Sequence, residues 1–282
     1  MIKKIFLSVI IFLFISSSLV AQRSNSSRNY SKFKFFDKPT IELSYGLSNI
    51  KLNGYSSKIS DAGLLELKLG FTNQRESYFG KKILRYDNRF LFLSNSSNDL
   101  TSKSKSTGVN SSMWRFGFGN KEGYGLKFGS VSLMPYTSNS FAWTNFEYDK
   151  NSFQSETDKL MLDNFNGTFR FGSTTEGGIN LQLFPGFSIQ PKYEISDIYP
   201  RHLFGKQFMS SLIEVGGLFL IDSFTKNVLR NAPVAGTFVN FILKNAYEYG
   251  FYQLRKDKMN WPFTSSAPLR YNTFKLGMTF TF

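Results

Sequence analysis

The sequence predicts an all-β protein of about ten antiparallel strands, with a helical hairpin inserted before the last strand. Two observations support this prediction. Several segments alternate strictly between apolar and polar or small residues, which is the period of a β-strand with one apolar face. In residues 201–258 the apolar residues recur instead at helical spacings.

The terminal segment, residues 270–282, shows the alternation most clearly. Its apolar face consists of Phe274, Leu276, Met278, Phe280 and Phe282, and every intervening residue is Thr, Lys or Gly. Such a strand fits a sheet that separates an oily medium from a polar one. The core of a soluble β-sandwich has the same pattern, so the alternation alone leaves both folds open.

A terminal strand that ends in Phe resembles the closing strand of Gram-negative outer-membrane β-barrel proteins. The resemblance names a class and no specific family. It implies a transmembrane antiparallel β-barrel over residues 38–282 in the cell outer membrane, surrounded by outer-membrane lipid and lipopolysaccharide. It also implies that the barrel-assembly machinery recognises the five apolar residues of the terminal strand as an insertion signal. A soluble periplasmic β-protein is the main alternative.

Residues 1–21 match a secretory signal peptide. Lys3 and Lys4 precede an apolar run over residues 5–15 and a small-residue segment, which predicts cleavage after Ala21. An N-terminal anchor is disfavoured because that run is shorter than the roughly 18 residues of a spanning helix. Residues 22–37 are rich in Ser, Asn and Arg, which predicts a disordered lead-in to a single large β-domain.

The composition suits an exported membrane protein. The chain has 34 Lys and Arg against 20 Asp and Glu, and without Lys3 and Lys4 the balance is 32 against 20. This excess calls for an anionic counterpart, and the export signal argues against nucleic acid. The 32 Phe and 14 Tyr suit a lipid-facing band with aromatic girdles. With no Cys, the chain has no disulfide, thiolate site or cysteine-linked lipid.

The predicted strands are bounded by turn residues and by one long polar loop, Ser94–Ser112, which we place outside the cell. A tight turn is predicted at residues 120–123, because Asn120 and Gly123 bracket it. Pro191 cannot donate to a ladder, which predicts a bulge or weak pairing there. The predicted strands cover residues 40–48, 64–71, 84–93, 113–119, 124–133, 139–148, 167–173, 178–184, 187–195 and 270–282.

Two helices are predicted in the insertion, over residues 202–230 and 233–255, separated at Asn231 to Pro233. A transmembrane pair is disfavoured, because charged residues interrupt both apolar runs. These residues are Glu214, Asp222, Lys226, Lys244 and Glu248. We therefore expect the pair to pack as one unit on the barrel mouth or the membrane surface, with a plug inside the lumen as an open alternative.

Charged residues on the polar strand faces point into the lumen if the apolar faces contact lipid. The basic ones are Lys68, Arg115, Lys127, Arg170, Lys192 and Lys275, and the acidic ones are Glu42, Glu66 and Glu194. The basic excess predicts porin-like passage or binding of small anionic solutes. The alternative is a network of ion pairs that fills a narrow, non-conducting barrel with a structural or lipid-directed role.

His202 is the only histidine. Some outer-membrane barrels are lipid-acting hydrolases or acyltransferases, in which a His acts as the base beside a Ser. Nothing in the sequence pairs His202 with a particular Ser or carboxylate, and an interfacial His at a helix start is the plainer interpretation. We therefore expect no enzyme, no catalytic residues, no metal site and no cofactor.

Overall fold

The structure is a computed structural model that describes residues 37–101, 108–150 and 155–282. The predicted signal peptide, and all of the predicted lead-in except Asp37, lie outside this range. Within it, one domain contains eight strands and three α-helices. The strands are β1 (Lys38–Leu52), β2 (Ala62–Ser77), β3 (Gly80–Ser97), β4 (Ser111–Phe128), β5 (Val131–Tyr148), β6 (Arg170–Phe184), β7 (Phe187–Ile198) and β8 (Leu269–Thr281). The helices are α1 (Glu156–Asp163), α2 (Phe204–Asn231) and α3 (Pro233–Leu254).

The strands form a closed antiparallel barrel in which each pairs with the next and β8 pairs with β1. The stagger of the strands can be read by following cross-strand partners around the barrel from Leu43 on β1. In one direction, through β2, they lead to Leu93 on β3. In the other direction, through β8 and the remaining strands, they lead to Ile83 on β3. This stagger of ten residues over eight strands requires tilted strands, typically by about 35–45°. The predicted barrel class is confirmed.

The predicted number of strands is wrong, because the structure has eight. β4 runs straight through the turn predicted at residues 120–123, and the chain turns instead at Gly129, whose positive φ of 64° suits glycine. The predicted strands 167–173 and 178–184 are one strand, β6. The outward-facing residues at both interruptions are polar or small, such as Glu122 and Thr175, which made them resemble turns. They are covered by α3 instead of lipid.

Apolar side chains point outward around the barrel and form an exposed belt. Phe274 is 62% exposed on β8, and its partner Leu47 on β1 is 56% exposed. The neighbouring inward residues Ser48 and Thr273 are buried and share a hydrogen bond of 2.7 Å. An apolar outer belt and a polar interior are the features of an outer-membrane β-barrel. Of the predicted insertion-signal residues, Phe274, Leu276, Met278 and Phe280 lie on this belt, and Phe282 follows the end of β8.

The two ends of the barrel differ. Two-residue connections at residues 78–79, 129–130 and 185–186 lie at one end, together with Asp37 and Phe282; this is the turn end. The longer connections, α1 and the entry to the helical hairpin lie at the other, the loop end. An apolar cluster fills the loop end of the lumen, where Ile59 and Leu162 from the connections meet Met113, Phe146 and Tyr271 from the strands.

Helices α2 and α3 form an antiparallel hairpin, at nearly the predicted boundaries. Gly236 lies so close to Leu229 that a Cβ at this position would contact its backbone at 2.8 Å, so the helices touch near the hairpin tip. The Tyr247 hydroxyl donates to the carbonyl of Glu214, 3.2 Å away, and joins the helices further along. The hairpin does not lie on the mouth or in the lumen. It packs along the outside of the barrel wall.

Candidate functional site

Nine charged side chains fill the middle of the lumen, and none is more than 6% exposed. They reach the lumen from strands on all sides of the barrel, because each lies on an inward-facing position. The acidic members are Glu42, Glu66, Glu176 and Glu194, and the basic members are Lys68, Arg115, Lys121, Lys192 and Lys275. We call this set the lumen network.

Lys275 is the centre of the lumen network. Its Nζ lies 2.9 Å from Glu66 and 2.7 Å from Glu176, and it also donates to Glu194. Arg115 binds Glu194 from the other side at 2.8 Å, with its guanidinium 4.8 Å from the ring centre of Tyr271. Buried charged groups are normally found paired with opposite charges, and here each charged side chain has its partners within the network.

The other half of the lumen network is centred on Glu42. Its carboxylate accepts hydrogen bonds from both Lys121 and Lys192. Lys192 also lies 3.6 Å from Glu66, which connects this half to the Lys275 half. Lys68 donates to Glu176 at 3.1 Å and lies 4.6 Å from the ring centre of Phe90.

The predicted lumen charges are only partly brought together. Four of the six predicted basic residues lie in the network, and so do all three predicted acidic residues. Lys127 instead lies at the turn end, half exposed and 4.0 Å from Glu76. Arg170 begins β6 and is half-buried near the loop end, with no ion pair to a described residue.

Sequence reasoning missed Lys121, which fell in the predicted turn at residues 120–123, and Glu176, which fell between two predicted strands. The sequence did contain a signal for Lys121. Every second residue of β4 faces inward, and Lys121 lies an even number of residues after the inward-facing Arg115. The corrected balance is five basic against four acidic groups, in place of six against three. The large free positive charge predicted for the lumen is therefore absent from the described network.

Three members of the lumen network have the spacing of a metal site. Carboxylate oxygens of Glu66, Glu176 and Glu194 lie within 4.8 Å of one another. The Lys275 ammonium contacts all three, so it occupies the position a cation would take. The arrangement is accounted for as an ion-pair cluster.

The polar face of α3 covers a polar strip on the outer wall. Glu248 accepts hydrogen bonds from Asn139 on β5 at 3.0 Å and from Thr175 on β6 at 3.3 Å. One turn earlier, Lys244 binds Glu122 on β4 at 2.6 Å and Asp222 on α2 at 2.7 Å. We call this line of contacts the hairpin seam.

The hairpin seam lies at the depth of the lipid-facing belt. Glu122 is two outward-facing positions from the belt residue Phe118 toward the turn end. Near the other end of α3, the Tyr252 hydroxyl donates to Asn272, one outward-facing position above Phe274. α3 therefore extends along most of the height of the belt, and its first eleven residues continue toward the turn end.

The charges that had argued against membrane helices lie mostly on the covered face. Lys244 and Asp222 pair with each other, Glu248 binds the wall, and Glu214 receives two hydrogen bonds from Arg255 at 3.0 and 2.9 Å. By length and composition α2 can cross a membrane, and its outer face is apolar. The two helices can therefore lie at membrane depth despite their charged residues, because the barrel wall and the other helix supply polar partners for them.

A groove with a volume of about 930 Å³ separates α2 from the outer wall. Its apolar lining includes Leu91, Phe118 and Phe141 from the strands and Leu218 from α2. Arg89 lies on the β3 side of the groove. The groove opens on the belt and therefore faces lipid directly. We call it the wall groove.

His202 lies just before α2, exposed, with its ring 5.8 Å from that of Phe171. Among the described residues it has no hydrogen bond or ion pair. Ser173 and Ser211 line the wall groove, but His202 does not.

No protein-family model matches the chain, and no curated protein matches it. Solved structures with similar folds include Neisserial surface protein A, with 8% identity, a TM-score of 0.40, and coverage of 86% of this chain and 97% of that one. Ail, the attachment invasion locus protein of Yersinia pestis, has 10% identity, a TM-score of 0.33, and coverage of 87% and 99%. The outer membrane protein OprG from Pseudomonas aeruginosa has 12% identity, a TM-score of 0.31, and coverage of 87% and 96%.

Proposed function

We propose that this outer-membrane barrel is non-conducting and lipid-directed, and that it holds one phospholipid molecule in the wall groove. The observation that carries the proposal is the groove itself. It is built by a helix that the barrel holds alongside its own lipid-facing belt. Its lining combines an apolar strip with the cationic Arg89, which lies next to Asp87, whereas Glu214 is paired with Arg255 and Glu248 is bound to the wall.

The lumen supports a non-conducting barrel. The lumen network crosses its middle with nearly balanced charge, and the apolar cluster fills its loop end. Eight-stranded barrels are wide enough for side chains to fill and no wider. The prediction of anion passage relied on unpaired basic groups, and the structure pairs Lys68, Arg115, Lys192 and Lys275 with carboxylates.

The groove suits a phospholipid because one part of its lining is apolar and another part carries a cationic side chain. Leu91, Phe118 and Leu218 offer an apolar surface for an acyl chain. Arg89 is the next outward-facing residue after Leu91 toward the turn end, and its exposed guanidinium can bind a phosphate with two hydrogen bonds. We therefore place the lipid with its phosphate at Arg89 and one chain along α2.

Native mass spectrometry of the protein released from lipid nanodiscs tests this proposal. Leu218→Trp fills the groove and should abolish the bound-lipid peak, whereas Leu220→Trp changes a residue that is 75% exposed on α2 and should leave it intact. Arg89→Gln should weaken retention of anionic lipid. Equal lipid retention by wild type and Leu218→Trp would reject the groove as the binding site.

We also propose that lipid is bound without being cleaved. His202 lies outside the wall groove, and among the described residues it lacks the partners that a general base requires. A phospholipid hydrolysis assay should therefore give the same background rate for wild type and His202→Ala. A rate that falls on this substitution would restore the enzymatic interpretation.

A further inference from the structure

A second cavity, with a volume of about 540 Å³, lies at the loop end outside the barrel wall. It is bounded by β1 and the connection that follows it, by β8, and by the end of α3. Lys51, Lys58 and Lys256 line it, together with Tyr249 and Tyr252. We call it the lysine pocket. It is separate from the wall groove, which lies on the other side of the hairpin.

The pairing of β1 with β8 fixes the depth of the lysine pocket. Leu47 and Phe274 are paired belt residues that face outward. The next outward-facing pair toward the loop end is Asn49 with Asn272, and the pair after that is Lys51 with Arg270. Each step of two residues is about 6.6 Å along the strand, so the pocket begins where the apolar belt ends.

The three lysines of the lysine pocket outnumber the two carboxylates near it and form no ion pair with them. Lys51, Lys58 and Lys256 are exposed, and no ion pair joins them to any described residue. The nearby Asp61 and Asp257 accept hydrogen bonds from the neutral amides of Asn49 and Asn53, so they keep their negative charge but form no ion pair with these lysines. Arg270 is buried and bound to Asp197 at 2.9 Å, so the three lysines supply the free charge.

Tyrosines complete the pocket on the α3 side. The Tyr252 hydroxyl donates to Asn272 at 2.7 Å, which fixes its ring against the wall, and Tyr249 stands beside it with a ring separation of 6.4 Å. Tyrosine rings are favoured at the boundary between hydrocarbon and headgroups, because one part of the side chain is apolar and the other is polar. They mark the depth of a lipid headgroup.

We infer that the lysine pocket binds the phosphate groups of an outer-leaflet glycolipid, an acylated sugar carrying phosphate monoesters. The long connections of transmembrane β-barrels face outward, so the loop end meets the outer leaflet. Three lysines that line one pocket match a phosphate monoester, which carries up to two negative charges. Leu47 and Phe274, directly below the pocket, provide the apolar wall for the acyl chains. Inorganic phosphate shares the headgroup chemistry but lacks these chains.

Binding to the full-length protein in phosphatidylcholine nanodiscs tests the inference, with bis-phosphorylated and dephosphorylated lipid A and inorganic phosphate as probes. We expect bis-phosphorylated lipid A to bind at least about tenfold more tightly than the dephosphorylated form, since lysines near a membrane surface attract anionic headgroups. Changing Lys51, Lys58 and Lys256 together to Gln should remove this difference, and changing them to Arg should keep it. All three are exposed, and heat-modifiable migration checks that the variants fold.

The matched control changes three lysines at the turn end, Lys38, Lys82 and Lys127, to Gln. It removes the same charge and should leave lipid A binding unchanged. Equal losses in both triple variants would show a general charge effect and overturn the inference. Inorganic phosphate that binds as tightly as the glycolipid would identify a soluble anion as the ligand and overturn it as well. The wall groove plays no part in either measurement, so its own test stands or fails independently.

Discussion

Lys275 on β8 and Glu66 on β2 form an ion pair of 2.9 Å in the lumen, although 209 residues separate them in the chain. The contact spans β1, which lies between these strands in the barrel. The last strand to be synthesised therefore supplies the ammonium group that neutralises carboxylates from earlier strands. Closure of the barrel by β8 completes the neutralisation of Glu66, Glu176 and Glu194.

Replacing Lys275 with Met should destabilise the barrel strongly. The substitution leaves Glu66, Glu176 and Glu194 close together in a buried site, and breaking a buried pair in this way costs about 3–5 kcal/mol. The measurement is the urea midpoint of unfolding in detergent micelles or bilayers. Lys127→Met, at an exposed lysine, serves as the control and should leave the midpoint nearly unchanged. An unchanged midpoint for Lys275→Met would show that the network contributes little to stability.

The wild-type protein should give no stable current in a planar bilayer. The lumen network and the apolar cluster remain in place without the hairpin, so deleting residues 201–258 should also leave the barrel silent. An anion-selective current that weakens in the double variant Arg115→Ser plus Arg170→Ser would contradict this prediction. It would support the porin-like alternative.

Replacing Lys244 with Met should loosen the hairpin from the wall. Lys244 is the only cationic partner of both Glu122 and Asp222 among the described residues, and without it two carboxylates would meet at the hairpin seam with no cation between them. Limited proteolysis should then cut residues 201–258 while the barrel remains folded. Lys226→Met, at an exposed residue of α2, should stay as resistant as wild type.

The loop end should contain an acid-sensitive clamp at Asp158 on α1. Burial raises the pKa of this carboxyl, but hydrogen bonds from the Ser57 hydroxyl and from the Ser56 and Ser57 backbone N–H groups outweigh it and hold the pKa below its usual value. A lowered pKa in the folded state stabilises the clamp fully above about pH 4, and this stabilisation is lost as the pH falls through the folded-state pKa.

NMR of the Ser56 and Ser57 amides between pH 7 and pH 2 should follow this loss. In wild type both resonances should shift together at acid pH, because their common acceptor becomes protonated. The variant Asp158→Asn should show no such step at these amides. A step that persists in the variant would assign the titration to another group.

Removing Phe280 to Phe282 should abolish heat-modifiable folding and outer-membrane fractionation. Phe280 pairs with Ile41 on β1, and the Phe282 N–H donates to the Pro39 carbonyl at 3.0 Å, so the deletion opens the seam between the last and first strands. Phe282→Ala keeps that backbone contact and tests the aromatic signal separately. Correctly inserted protein at wild-type levels after the deletion would remove the basis for a C-terminal insertion signal.

The barrel class and the hairpin were predictable because each depends on a local periodicity. Alternation marks strands such as β8, where lipid contacts one face and the lumen the other. The helical spacing of apolar residues in α2 and α3 is visible in the sequence whatever surface the helices pack against. The strand number was not predictable from alternation, since outward residues such as Glu122 and Thr175 are polar for a reason that lies in another segment. They face α3, and the strand pattern alone cannot show that.

The candidate site was only partly predictable for the same reason. Inward-facing charges such as Arg115 and Lys275 followed from parity within a strand. Their pairing depends on the stagger between strands, which decides which inward residues meet across the lumen. The wall groove depends on where the hairpin docks, and the charges on α3 that specify this position looked like obstacles to a membrane environment when read without their partners.

The docked hairpin also bears on how the last strand finds its place. A flexible connection as long as that between β7 and β8 carries an entropic cost of closure. The wall strands β4, β5 and β6 precede the hairpin in the chain, so Glu122, Asn139 and Thr175 are available before β8 is made. Once α2 and α3 bind them as an antiparallel pair, the end of α3 returns to the start of α2, next to the free edge of β7. The hairpin thus turns a long loop closure into a short one, and the barrel closes from an edge at which its final strand is already held.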